Sequence, residues 1–180
     1  DINLEEYNRT DGIITQKSKL VLSTTNADCI LLLFFDPITK TIANVHSGWK
    51  GTLQRISEKT VEKMINQCNC KPENIICCIC PSIRKCHFEV DEDVKNMFYE
   101  AFKDENIISL GEVKDGKQKY YIDTVLANIN MMRSMGLKEE NIIDSKICTV
   151  CNSDKMHSYR VEKELSGRNT AIIAIKSVSY

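Results

Sequence analysis

Cys29 stands at the mouth of an apolar run, residues 30–35, and His46 closes the run that follows it. Directly behind the histidine comes Gly48-Trp49-Lys50-Gly51, with the only tryptophan of the chain between two glycines. A thiol and an imidazole brought to one place support three arrangements. They can pack as a small hydrophobe and a hydrogen-bonded ring. The imidazole can accept the thiol proton and leave a nucleophilic thiolate. Or both can ligate zinc, with at least one further ligand and a position left for water or substrate. The surroundings favour chemistry. Glycines at 48 and 51 let backbone approach a bound group closely, and a helix beginning near Thr52 would aim free N–H groups and its dipole at the same place, which suits an anion.

The elements that must position the pair can be read from pattern. Residues 30–36 and 41–46 are strand-like and joined by Pro37-Ile38-Thr39-Lys40, which predicts a hairpin. With the turn centred between Ile38 and Thr39, Leu31 faces His46 and Cys29 faces Gly48. Cys29 and His46 then project to one side of the sheet, offset by about 7 Å of strand rise. Behind them, Leu53, Ile56, Thr60, Val61, Met64 and Ile65 fall on one helical stripe that Thr52 can cap. Residues 11–25 suit a strand pair, 74–80 a short buried strand, 91–102 a helix, and 114–117 a turn between strands. A helix is predicted from Asp123 to Gly136, and strands at 142–149 and 170–177. Tight turns between neighbouring strands, interleaved with helices, predict a single α/β (α+β) domain over residues 1–180, with mixed sheets sandwiched by helices.

Charge and composition narrow the partners. Lys and Arg number 24 against 25 acids with no block of one sign, so nothing attracts a polyanion at long range and nucleic acid is not expected. The longest apolar run falls far short of the roughly 20 residues a membrane span requires. Nine cysteines include the adjacent Cys77 and Cys78, and several sit in strand-like runs instead of closing loops, which points to reduced thiols and a cytoplasmic setting. Cys148 and Cys151 form a lone C-x-x-C, read here as packing. Cys68, Cys70, Cys77, Cys78 and Cys80 have no paired spacing that would organise a second metal.

The order of short motifs carries a resemblance. "NADC", then "DP", then "NVHSGWKGT" resembles the T-A-D-C … D-P … H-A-G-W-R-G hallmark of the YfiH/laccase-domain family, purine nucleoside phosphorylases with adenosine deaminase activity formerly described as polyphenol oxidases. "CPSIRKCHFEV", "YYIDTVLANINMM", "ICTV" and "HSYRVEKELSGRNTAII" resemble its later segments in the same order, from near residue 11 to the last strand. The chain departs from the pattern at Lys50, where arginine is usual, at Cys80 and Arg84, which replace glycines, and at Met156, His157 and Val161.

In that family zinc is held by two histidines and one cysteine. The resemblance implies Cys29 and His46 as catalytic residues and ligands. The family's first histidine lies in an opening segment that this chain is expected to lack. Zinc would lower the pKa of bound water for deamination of adenosine, while phosphate cleaves purine nucleosides at ribose C1′. Phosphate needs fixed cations and amide donors, and Lys50, Arg160 and Arg168 are the charged candidates. Tyr159 and Phe88 are candidates to stack on a purine, and Ser158 to bond ribose. Asp28, beside the thiol, is a candidate to orient His46 or a water, with a capping or surface role as the equal alternative. Two other readings stay open: a Cys-His hydrolase or deamidase, as in the similarly folded cytotoxic necrotizing factor toxins, and an inactive nucleoside-binding module. One Cys and one usable His cannot populate the several centres a copper oxidase needs.

Overall fold

In the computed structural model, residues 10–176 are described. Strands β3 (Ile30–Asp36) and β4 (Thr41–Ser47) form the expected hairpin, with Leu31 opposite His46 and Asp36 opposite Thr41. Asp36 sets the turn, its Oδ1 accepting the amides of Ile38 at 2.8 Å and Thr39 at 3.2 Å. Three more strands complete a five-stranded sheet in the order β1-β4-β3-β5-β9, with β1 Gly12–Thr15, β5 Ile76–Ile79 and β9 Ile142–Asp144. Every pair in it is antiparallel except β5 with β9.

Burial in β3 is nearly continuous because both faces of this sheet are covered. One face carries Ile30, Leu32, Phe34, Ala43, Val45 and Cys77 against Val61 and Met64 of α2 (Ile56–Cys68) and Val125 and Met132 of α4 (Thr124–Ser134). Leu32 and Phe34 are fully buried, each contributing about 1.5–3 kcal/mol by leaving water. The other face is covered by a two-stranded ribbon of β2 (Val21–Asn26) and β10 (Asn169–Ala174). Buried Asn44 bolts the ribbon down, its amide donating to Leu22 O at 3.1 Å and Ala171 O at 3.0 Å. Asn44→Ala should therefore lower stability by about 2–3 kcal/mol, since it strands two carbonyls in a dry layer. A lower urea midpoint at unchanged m would register that loss.

A second, smaller core lies between α3 (Glu92–Phe102) and a three-stranded sheet ordered β6-β8-β7, with β6 Glu89–Val90, β7 Ile108–Lys114 and β8 Lys117–Ile122. Phe98, Ile107, Ile122 and Ala127 fill it, and Trp49 and Phe88 pack on its edge. The mixed α/β class is as the pattern predicts.

Several boundaries differ from expectation. Residues 11–25 do not pair with one another: β1 joins the edge of β4 and β2 joins β10. Both partners satisfy the same alternation, so local pattern cannot choose between them. The predicted helix from Thr52 is two helices, α1 (Trp49–Leu53) and α2, broken at Arg55 in the left-handed region with φ 61°. Thr52 is not a cap. It is buried inside α1, its hydroxyl bonded to Ser47 Oγ at 3.0 Å and Gly48 O at 3.1 Å, with the Asn128 amide donating to it at 3.2 Å. Asp123 does cap its helix, accepting from Leu126 N at 2.9 Å. The strand predicted at 142–149 ends at Asp144, whose carboxylate turns to Arg84, and Lys146 then takes φ 56°. The last strand ends at Ala174, and Ser177 lies outside the described residues.

Candidate active site and metal-binding residues

A cavity of about 460 Å³ opens where the β2–β3 connection, the end of β4, α1 and the segment around α5 (Tyr159–Glu162) meet. Cys29 and His46 share one wall. A methyl group built on Gly48 would lie 3.4 Å from Cys29 Sγ, 3.4 Å from His46 Cε1 and 3.8 Å from His46 Nε2. The bare Cα of Gly48 thus leaves open the point that sulfur and imidazole flank. Gly51 does something else: a Cβ there would make ordinary contact with Ile56 and the His46 carbonyl, so it belongs to packing behind the wall. Five-residue α1 begins at Trp49 and is too short to contribute the helix dipole expected from Thr52.

Asp11 orients the imidazole. Its Oδ1 lies 3.1 Å from His46 Nδ1, and its carbonyl accepts the His46 amide at 2.7 Å. A carboxylate only accepts, so Nδ1 carries the proton and the Nε2 lone pair is left toward the cavity, as in metal-binding histidines backed by a carboxylate. The Cys29 thiol is pushed up by burial, with Asp28 and Asp11 adding to the rise and Arg168 opposing it. A cation at Nε2 is therefore a natural complement for its thiolate. The donor set, one soft sulfur and one imidazole with an ordered second nitrogen, suits zinc. Among the described residues no third Cys, His, Asp or Glu joins them. Asp11→Ala should weaken metal binding about 10–100-fold with little effect on folding. Competition against a fluorescent zinc chelator would measure the change.

Of the roles expected for Asp28, it takes capping and leaves the orientation of His46 to Asp11. It is buried with φ 89°, a strained value for a side-chain-bearing residue, and its backbone oxygen accepts the Ile83 amide at 2.8 Å. Its Oδ1 accepts from Thr149 Oγ1 at 2.6 Å and its Oδ2 from the Arg160 amide at 2.7 Å, at the start of α5. Asp28 is thus a cap supplied from a distant strand end, and it fixes where Arg160 begins.

Arg160 reaches back over the cavity wall to His87 O at 3.2 Å and Glu89 O at 3.3 Å. Arg168 lines the cavity too and donates to Ser166 O and Gly167 O at 3.0 and 2.8 Å. Lys163 is a third cation on this wall, one the motifs did not single out. None of the ion pairs among the described residues uses any of the three. Trp49, Phe88 and Tyr159 supply flat apolar surface beside them, with the Tyr159 hydroxyl held by Glu164 at 2.8 Å. Two expected substrate contacts fall outside the lining. Lys50 is exposed and sits over the Trp49 ring, 5.4 Å from its centre. Ser158 is buried at the foot of α5, its amide donating to Glu162 at 2.8 Å and its hydroxyl without a protein partner.

A thiol and a backed imidazole facing a cationic, aromatic cavity on a mixed α/β scaffold form a concave pocket with a few convergent polar groups, of a size to take a small molecule. The family model described as multi-copper polyphenol oxidoreductase laccase matches residues 2–176, and the chain belongs to that family. It is similar to "Purine nucleoside phosphorylase YlmD" of Bacillus subtilis, 29% identical over 93% of this chain and 59% of that one. It is also similar to "Purine nucleoside phosphorylase" of Bacteroides thetaiotaomicron, 31% identical over 91% of this chain and 60% of that one. The crystal structure of the hypothetical protein YfiH of Bacillus licheniformis superposes with a TM-score of 0.85 at 27% identity, covering 93% of this chain and 62% of that one. The chain spans about three-fifths of the length of these relatives.

Proposed function

We propose that this pocket phosphorolyses purine nucleosides and, with zinc held by Cys29 and His46, deaminates adenosine. The observation that carries the reading is the opposition, across one cavity, of a Cys-His donor pair and three cations that have no carboxylate partner among the described residues. Arg168, Lys163 and Arg160 offer charge and donors to phosphate, which Lys50 and Ser158 as placed do not. Trp49, Phe88 and Tyr159 offer faces on which a purine can stack. In the phosphorolysis, a phosphate oxygen forms a bond to ribose C1′ as the bond to the base nitrogen breaks, and the base leaves with the electron pair and takes up a proton. Fixed cations beside the phosphate oppose the charge that separates in that step. Bound zinc would supply a water of lowered pKa, and its positions beyond Cys29 and His46 are open to water, substrate or residues outside those described.

Relatives bearing the name purine nucleoside phosphorylase support the substrate class. A reducing, cytoplasmic setting belongs to this reading as a proposal; all nine cysteines are free, and no helix among the described residues is long and apolar enough to cross a membrane. The test is incubation of the full chain, loaded with zinc, with inosine and phosphate, and separately with adenosine. Hypoxanthine with ribose 1-phosphate is expected from the first and inosine from the second. Nucleoside binding without turnover would overturn the enzymatic reading. Loss of activity on thiol alkylation but not on chelation would replace it with a Cys-His nucleophile.

A further inference from the structure

Away from the cavity lining, the fold assembles a second set of soft donors. Cys86 and His87 leave the turn after β5, Cys148 and Cys151 belong to the loop after β9, and their four donor atoms all lie within 4.8 Å of one another. It is the one group of three or more such donors among the described residues. The Cys86 and Cys151 sulfurs are 3.9 Å apart, and His87 Nδ1 lies 3.2 Å from Cys86 Sγ, 3.5 Å from Cys151 Sγ and 3.7 Å from Cys148 Sγ. A tetrahedral zinc with bonds of about 2.3 Å to sulfur and 2.0–2.1 Å to nitrogen has edges of about 3.8 Å between sulfurs and about 3.6 Å between sulfur and nitrogen. The observed separations scatter around those edges. They are also too short for a two-iron cluster, which spreads its ligands over two metal atoms.

We infer that Cys86, His87, Cys148 and Cys151 bind one zinc ion that fastens the two loops behind the active-site cavity. The C-x-x-C segment is shaped for it. The Asn152 amide N–H donates to Cys148 O at 3.2 Å and its side-chain amide to the same carbonyl at 2.8 Å, so the segment turns back on itself between its two cysteines. The two loops are already in register: Ser82 and Cys148 form a parallel bridge, with Ser82 N donating to Ile147 O and Thr149 N to Ser82 O. Arg84 pairs with Asp144 and also reaches Ser145 and Ile147. Cys148 is buried, while Cys86 and Cys151 are exposed, which leaves the ion a way in from solvent.

The consequence reaches the cavity through its neighbours. The residue after Cys148, Thr149, holds the Asp28 carboxylate, and the carbonyl of His87 holds the Arg160 guanidinium. A metal joining these loops would therefore position Asp28 and Arg160 whatever reaction the cavity performs. The competing fate of two exposed thiols at this distance is a Cys86–Cys151 disulfide, which would consume two ligands.

Cobalt(II) titration of the full chain, stripped of metal and reduced, distinguishes the two, done in a Cys29→Ala/His46→Ala background so that the first site cannot answer. One equivalent should bind with the visible bands of tetrahedral cobalt and a strong near-ultraviolet band from three thiolates, and zinc should displace it one for one. Cys151→Ser and Cys86→Ser, both at exposed positions, should each cut that band to two thiolates' worth. Absence of tetrahedral bands, or a thiolate band that neither serine substitution changes, would overturn the inference. So would a Cys86–Cys151 disulfide found by peptide mapping of protein whose thiols were trapped at cell lysis.

Discussion

Cys29→Ala is expected to reduce deamination of adenosine by about a thousandfold or more, equivalent to about 4 kcal/mol of lost transition-state stabilisation. The sulfur is one of only two donors that the described residues bring to the point above Gly48. Losing a direct ligand should cost more than the 10–100-fold typical of residues that merely orient one. The thermal midpoint should barely move, because the side chain lines the open cavity and is not among the residues of the closed core. Bound zinc at this site should disappear together with activity. Activity within about tenfold of the parent, with zinc still bound there, would remove Cys29 from the chemistry. Gly48→Leu is a complementary probe. It leaves both donors in the sequence and fills the space between them, so metal and activity should again be lost together.

The second large effect is expected at Arg168. It is exposed and donates only to the carbonyls of Ser166 and Gly167, so Arg168→Ala should leave stability within about 0.5 kcal/mol. A charge-assisted hydrogen bond to phosphate is worth about 1.5–3 kcal/mol, which predicts a 10- to 150-fold rise in KM for phosphate. KM for the nucleoside should change much less. Arg168→Lys should recover part of the loss, since it keeps the charge and gives up the planar fork. Equal effects on both substrates would mean that Arg168 shapes the cavity and does not hold phosphate. Steady-state kinetics with each substrate varied in turn separates the two outcomes.

The hairpin that carries the putting-together of Cys29 and His46 was legible because its information is local. An unbroken apolar run ends at Asp36, a proline-bearing turn follows, and the register is settled over a dozen residues, as the pairing of Leu31 with His46 bears out. The helices at 92–102 and 124–134 were legible for the same reason, having their own period and, at Asp123, their own cap. The break at Arg55 was not. It follows from Thr52 being drawn into a buried polar knot with Ser47 and Asn128, and Asn128 lies on a different helix.

Residue types and spacing by themselves determined the mixed α/β class and the thiol and imidazole as candidates for chemistry, whereas the arginines at 160 and 168 became candidates for an anion only through the family resemblance. Tertiary structure alone decided that β2 pairs with β10 across the length of the chain, that Asp11 backs His46, and that Asp28 caps α5 instead of touching the imidazole. It also turned Lys50 outward, brought Lys163 in, and joined a lone C-x-x-C to Cys86 and His87. The physical reason is common to all of these. Periodicity and turn chemistry act over a few bonds, whereas a hydrogen-bond or metal-ligand partner dozens of residues away is chosen only when sheet order and loop packing bring the two side chains within reach.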